Sequence, residues 1–364
     1  MGSRPVTLDD VAQHAGVHAA TVSRAISRPE MVNAGTLDLV RSAIDELGYV
    51  PNVAARQLAG GRTSRLAIIV PDVANPFFGE LVQAAQRRAS DDDELVLLAD
   101  TDQRPAREID AVRSFAGDVD GIVVCASVAP VASLRDAAGS TPLVSVNRRV
   151  RTVPSVLLDQ AAVIDLGVDH LRSLGHEQIA FVRGPAAYWS TEVRTRRAEA
   201  LGVPTLAAPA PTYEGGREAF EAVRDSGVTG VLAFNDLLAF GIMAAADEAG
   251  VSIPAELSVV GSDDVAIAEM VRPALTTVSG RMSDLGTTAV DVLLRYVVHG
   301  EVPRSSDIEL APELVVRAST ATVRPRGAFA GRARVRDGIR SLPGEVVRPS
   351  RTTSKRGAPA GSEE

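Results

Sequence analysis

TLDDVAQHAGVHAATVSRAI, residues 7–26, carries two short helical patterns separated by a single glycine turn. Leu8, Val11, Ala12 and Ala15 recur at the spacing of one helical face, and Gly16 stops that helix because glycine takes the left-handed turn without strain. After Val17 a second helix is predicted from about Ala19 to Ser27. Val17, Val22 and Ile26 then turn inward, while Ala19, Ala20, Ser23 and Arg24 turn outward. Two short helices joined this tightly form a helix-turn-helix, whose second helix lies in a major groove. An ordinary small helical bundle needs the same apolar spacing, but it does not need the polar outward row.

A third amphipathic segment, Thr36 to Leu47, ends at Gly48 and completes a three-helix core. YVPNVAARQLAGGRT, residues 49–63, then holds a short helix started by Pro51, capped by Asn52 and ended by Gly60-Gly61. The run through Thr7, Val22-Ser23-Arg24, Leu47-Gly48-Tyr49, Pro51-Asn52, Ala55-Arg56 and Leu58 resembles the DNA-binding head and hinge helix of the lactose/galactose repressor family. The likeness continues to about Thr322. It implies that Ala19, Ala20 and Arg24 face base edges, with Arg24 able to pair with a guanine, and that Thr21 and Ser23 lie near phosphate. Thr7, His18, Asn52, Ala55 and Arg56 complete the DNA surface, and Leu58 wedges into the minor groove. His18 stands where the family usually has a serine cap, and Leu37 and Leu39 replace residues that are often basic in relatives.

Composition agrees with a regulator. Apolar residues at 45% and charged residues at 23% of 364 are those of a globular chain with more than one core. The net charge of −8 argues against indiscriminate coating of nucleic acid, so binding depends on where Arg4, Arg24, Arg28, Arg56 and Arg62 sit. A single cysteine, Cys125, excludes an internal disulfide. No apolar leader or membrane-length run is present, and a cytoplasmic protein is expected. The five histidines lie apart, and no metal spacing, nucleophile elbow or phosphate loop appears. No enzyme activity, cofactor or metal is therefore expected.

From Leu66 short apolar runs alternate with amphipathic helices, which implies parallel sheets covered on both faces. The predicted class is α/β: a helix-turn-helix head over 5–50, a hinge over 51–64, a two-lobed sensor over 65–323 and a disordered tail over 324–364. Strands at Leu66 to Val70, Leu95 to Leu98, Gly121 to Cys125 and Leu143 to Val146 build the first lobe. Strands at Ile179 to Val182, Val231 to Phe234 and Ser258 to Gly261 build the second. A last helix, Leu285 to Val298, is followed by strands near 308–310 and 314–316. The resemblance implies the same arrangement, a periplasmic-binding-protein type of sensor.

Ligands in such sheets sit at the carboxyl ends of strands. By position and by resemblance the candidates are Phe77, Phe78, Asn147, Trp189, Arg194, Arg196, Tyr213, Asn235, Asp236, Asp263 and Asp264. Arg194 and Arg196 compete for one role, because the glycine that usually follows the family's arginine is missing. Carboxamide, carboxylate and guanidinium groups beside aromatics fit a carbohydrate. The expected protein is a homodimeric repressor of a palindromic operator, released or retained by a small-molecule effector. The tail's lack of a leucine heptad run favours a dimer over a tetramer. A solute receptor and a purine- or nucleoside-sensing regulator are the alternatives.

Overall fold

The computed structural model describes residue 4 and residues 6–27, 29–49, 62–300 and 307–323. Asn52, Ala55, Arg56 and Leu58 of the expected hinge, and the tail over 324–364, lie outside the described residues.

The head contains α1 (Leu8–Ala15), α2 (Ala19–Ser27) and α3 (Ala34–Leu47). Thr7 caps α1 in a reciprocal box with Asp10: its hydroxyl accepts the Asp10 N–H at 3.3 Å, and the Asp10 carboxylate accepts the Thr7 N–H at 2.8 Å. Gly16 and Gly48 close α1 and α3 with φ of 67° and 62°. The third helix starts two residues earlier than the apolar spacing indicates, because Asn33 caps it by accepting the Thr36 N–H at 2.9 Å. Val11, Val22, Ala25, Val40, Ala43 and Tyr49 form the head's core.

In the sensor, β1 (Arg65–Val70), α4 (Pro76–Ser90), β2 (Leu95–Asp100), α5 (Pro105–Phe115), β3 (Gly121–Cys125), α6 (Val131–Ala138), β4 (Leu143–Val146) and β5 (Ser155–Leu158) follow one another. Then come α7 (Gln160–Ser173), β6 (Ile179–Arg183), α8 (Trp189–Ala200), β7 (Thr205–Ala207), α9 (Tyr213–Asp225), β8 (Gly230–Ala233) and α10 (Asp236–Glu248). The series ends with β9 (Ser258–Asp263), α11 (Ile267–Met270), β10 (Thr276–Ser279), α12 (Met282–His299), β11 (Asp307–Leu310) and β12 (Glu313–Val315).

Two six-stranded sheets result, in the orders β2-β1-β3-β4-β5-β11 and β7-β6-β8-β9-β10-β12. Every pairing is parallel except that of β10 with β12. Both begin with the doubly wound order 2-1-3-4-5, in which the chain reverses direction across the sheet between its first and third strands. Alternation along β1 shows why both faces are covered: Leu66, Ile68 and Val70 face the core built by α4 and α12, while Ala67 and Ile69 face the residues of α5 and α6. In the second lobe Phe181, Leu232 and Val260 pack against α7, and Val182, Val231 and Val259 against the core that α9 and α10 share.

The helix predicted over Leu285 to Val298 and the strand near 308–310 belong to the first lobe. Ile308 pairs with Val156 in the first sheet, and α12 lies so close to α4 that a Cβ on Gly286 would collide with the Leu81 carbonyl. The chain therefore passes between the lobes three times, at Asp159, near Arg281 and between Leu310 and Glu313. The three passages are tied together. The Asp159 N–H donates to the Leu310 carbonyl at 2.9 Å, and the Arg281 guanidinium donates to the Ala311 carbonyl at 3.4 Å. Strands β5, β7 and β10, each three or four residues long, and the one-turn α11 were not anticipated.

Candidate functional site

Along α2, Ala20 and Arg24 are exposed one turn apart, with Thr21 and Ser23 half-buried on its flanks. Ala19, expected on the outward row, is half-buried against the head's core. His18 is exposed, and its carbonyl accepts the N–H groups of Thr21 and Val22 at 2.7 and 3.2 Å, so it occupies the capping position through its backbone. Thr7 is engaged in the α1 capping box.

Between the lobes the strand ends converge on a cavity of about 70 Å³. From the first lobe it is lined by Asn75, Phe77 and Phe78 after β1, Ala126 after β3, Asn147 after β4, and Leu158. From the second come Gln160, Tyr188, Ser190, Arg194, Pro211, Phe234, Asn235 and Asp263. The backbone is forced at these strand ends, with φ of 44° at Ala126, 54° at Asn147, 137° at Asp263 and 64° at Asp264. Left-handed conformations at non-glycine residues cost energy and cluster where side chains must be aimed.

Arg194 is the central cation, 4% exposed. Its Nε donates to Gln160 Oε1 at 2.6 Å, its Nη1 donates to the Phe234 carbonyl at 2.5 Å, and the guanidinium lies 5.0 Å from the Phe234 ring centroid. Burial pushes it down to about 10, against the opposing pull of Asp263. Asp263 is raised well above the usual carboxylate range, first by burial and then by Asp236, with Arg194 opposing. Asn147 Oδ1 accepts the Leu158 N–H at 3.0 Å, and Asn235 caps α10 through the Leu238 N–H at 2.9 Å. Phe77 and Phe78 meet edge to face at 5.0 Å, and Tyr188 stacks on Phe234 at 6.3 Å.

Of the residues expected from sequence, the cavity brings together Phe77, Phe78, Asn147, Arg194, Asn235 and Asp263. The others stand elsewhere. Arg196 is exposed and pairs with Glu192 on the outer face of α8, because two residues along a helix turn a side chain away from Arg194. Trp189, at the first position of α8, is half-buried beside Tyr188 and Ser190, which do line the cavity. Tyr213 is 38% exposed on a different groove, of about 620 Å³, shared with Phe240, Met243, Val271 and Pro273. Asp236 is fully buried behind the cavity, accepting from Thr277 Oγ1 at 2.6 Å and the Val265 N–H at 2.9 Å. Asp264 turns to Arg317 at 2.7 Å.

Sequence reasoning missed Ala126, Leu158, Gln160, Tyr188, Pro211 and Phe234, and left Asn75 and Ser190 out of the chosen set. The rule that ligands meet strand ends would have found Phe234 and Tyr188, which follow β8 and β6 in a chain with only 4% aromatics.

The head and sensor match known families. Residues 7–52 match the model of bacterial regulatory proteins of the lacI family, and residues 168–320 match that of the periplasmic binding protein-like domain. The chain is 31% identical to the HTH-type transcriptional regulator DegA of Bacillus subtilis (strain 168), over 86% of this chain and 98% of that relative. Among solved structures, the lac repressor dimer bound to operator and the anti-inducer ONPF superposes with a TM-score of 0.76 at 29% identity, covering 87% of this chain and all of that one. The CelR–cellobiose complex, also a transcriptional regulator, gives a TM-score of 0.64 at 28% identity with the same coverage.

Proposed function

The chain belongs to the lacI family of bacterial regulatory proteins, and from that premise we propose that a small hydroxylated metabolite in the inter-lobe cavity controls how its head holds a palindromic operator. One observation carries the reading: six residues singled out as binding groups from sequence, drawn from both lobes, line one cavity beside the three passages on which the lobes turn. A carbohydrate fits the mix of four aromatic rings and convergent polar groups, and a relative in the same fold is solved with cellobiose. At about 70 Å³ the cavity is far below the roughly 300 Å³ of ordinary ligand sites. Admitting a sugar therefore requires the lobes to part, and that motion is what the hinge would transmit to the head.

DNA is read by α2, with Arg24 on a guanine edge and Ala20 supplying a methyl contact. The chain acts as a homodimer, as the lac repressor does on its operator. The groove holding Tyr213, with Met270 exposed nearby at 70%, supports a contact with a second copy in the second lobe. Operator titration tests the DNA side. Arg24→Ala should weaken binding to a palindrome from the chain's own upstream region by about 1–3 kcal/mol and relax the preference at one base pair per half-site. Unchanged affinity and specificity would remove α2 from the groove.

A further inference from the structure

If the inter-lobe cavity is the effector site, its chemistry is written in how its polar side chains are already spent. Four carboxamides line it, and in each the oxygen is taken by the chain. Asn75 Oδ1 accepts the Phe77 N–H at 3.0 Å, Asn147 Oδ1 the Leu158 N–H at 3.0 Å, and Asn235 Oδ1 the Leu238 N–H at 2.9 Å. Gln160 Oε1 accepts from Arg194 Nε at 2.6 Å. Because backbone N–H groups fix three of these orientations, the amides cannot be flipped to offer oxygen instead. The Asn235 nitrogen also donates to the Pro211 carbonyl at 2.9 Å. Asn75 and Asn147 are therefore left presenting N–H groups to the cavity.

Arg194 adds to the same excess of donors. Nε and Nη1 are engaged, and among the described residues Nη2 has no hydrogen-bond partner and no carboxylate lies within ion-pair distance of this 4% exposed cation. Buried charges are ordinarily paired, and an unpaired one is expensive. Asp263, the one acidic side chain among the described residues lining the cavity, receives no side-chain hydrogen bond from them. Burial and the neighbouring Asp236 raise its proton affinity, with Arg194 opposing, which lessens the repulsion an anion meets there. Helix α8 begins at the same wall, with no side chain capping it at Tyr188 and with Ser190 in the cavity lining, so its positive end adds to the field of Arg194.

We propose that the effector is acidic: a small hydroxylated molecule whose carboxylate or phosphoryl oxygens accept from Arg194 Nη2 and the Asn147 amide, with a hydroxyl directed to Asp263. This assignment rests on the cavity being the effector site. A wholly neutral polyol fits less well, because every hydroxyl that accepts from these donors brings a proton of its own, and the cavity has few acceptors to receive it.

The test uses fragment probes, since the anionic group alone is commensurate with the cavity. Thermal midpoints of the full chain are measured with sodium acetate, inorganic phosphate, acetamide and D-ribose in the millimolar range, against sodium chloride at matched ionic strength. Acetate or phosphate should stabilise beyond chloride, with acetamide and ribose well behind; whichever anion is stronger separates a carboxylate from a phosphoryl group. Arg194→Gln should weaken that binding by roughly tenfold or more, as loss of a charge-assisted hydrogen bond does. Asn147→Asp keeps the shape and the Leu158 contact, replaces a donor by an acceptor, and should lose the anion equally. Absence of stabilisation by either anion, or its survival in both variants, overturns the proposal. Arg194-dependent stabilisation by ribose alone would overturn the acidic assignment while sparing the cavity as effector site. Ribose binding that ignores Arg194 would count against the cavity as well.

Discussion

Asp236 and Asp263 illustrate how two acidic side chains at neighbouring strand ends take different tasks. Asp236 is fully buried and holds the start of the 264–266 turn through the Val265 N–H, while the Thr277 hydroxyl donates to its other oxygen. Gly261 makes this possible, since any Cβ there would collide with Asp236 Oδ1. Burial raises Asp236 to about 6, with the Thr277 and Val265 hydrogen bonds opposing. A carboxyl that binds its proton more tightly folded than unfolded takes up protons on folding between the two values. Stability must then fall as pH rises from about 4 to 6 and level off above. Ionising this group costs the fold on the order of 3 kcal/mol. Thermal midpoints of wild type and Asp236→Asn across pH 4 to 7 check this. Their difference should move in the variant's favour through the window, on top of a constant offset for the lost Val265 acceptor. Parallel curves would show that Asp236 is already ionised at pH 4. At the same scale, Arg194 was legible in helix phase: Thr191, Arg194 and Ala198 are the buried residues of α8, which puts Arg196 outside. Resemblance alone left the two arginines in competition.

At the scale of elements, helix packing is set by where backbone meets backbone. In the first lobe α12 rests on α4 at Gly286, and in the second α9 and α10 cross at Gly216 and Gly241, where a Cβ would meet the Leu238 or Tyr213 carbonyl. Gly286→Ala should therefore destabilise the chain by about 1–3 kcal/mol, because two backbones must separate. Gly79→Ala, at the fourth residue of α4 and with open space around its Cβ, should be neutral or stabilising by up to about 1 kcal/mol. Thermal denaturation of the two variants checks the contrast, and equal effects would remove the crossing as the cause. The head helices and most strands were readable because a 3.6-residue period or a buried apolar run belongs to each element by itself. Which sheet an element joins is another matter. Nothing in the period of Leu285 to Val298 says that it returns to the first lobe, since that depends on a partner, α4, some two hundred residues earlier in the chain. Strands as short as Thr205–Ala207 carry too few residues for alternation to declare itself. The cavity was half legible for the same reason: strand ends indicated Asn147, Asn235 and Asp263, but the direction of Tyr213 depends on how α9 packs.

For the whole molecule, three tied passages between two lobes, strained strand ends at the cavity and a helix-turn-helix head support the proposed coupling of ligand and operator through lobe geometry. Such coupling is reciprocal, so whatever weakens operator binding must itself bind less tightly to the operator complex, by the same factor. The decisive measurement is fluorescence anisotropy of a labelled palindromic duplex from the chain's own upstream region, titrated with wild type and Asp263→Asn across neutral and acidic monosaccharides. At least one compound should shift wild-type affinity by roughly 5–150-fold. Asp263→Asn, outside the head, should bind the ligand-free duplex as wild type does and lose that shift. A variant that responds as fully as wild type would place the controlling ligand outside the cavity and contradict the account.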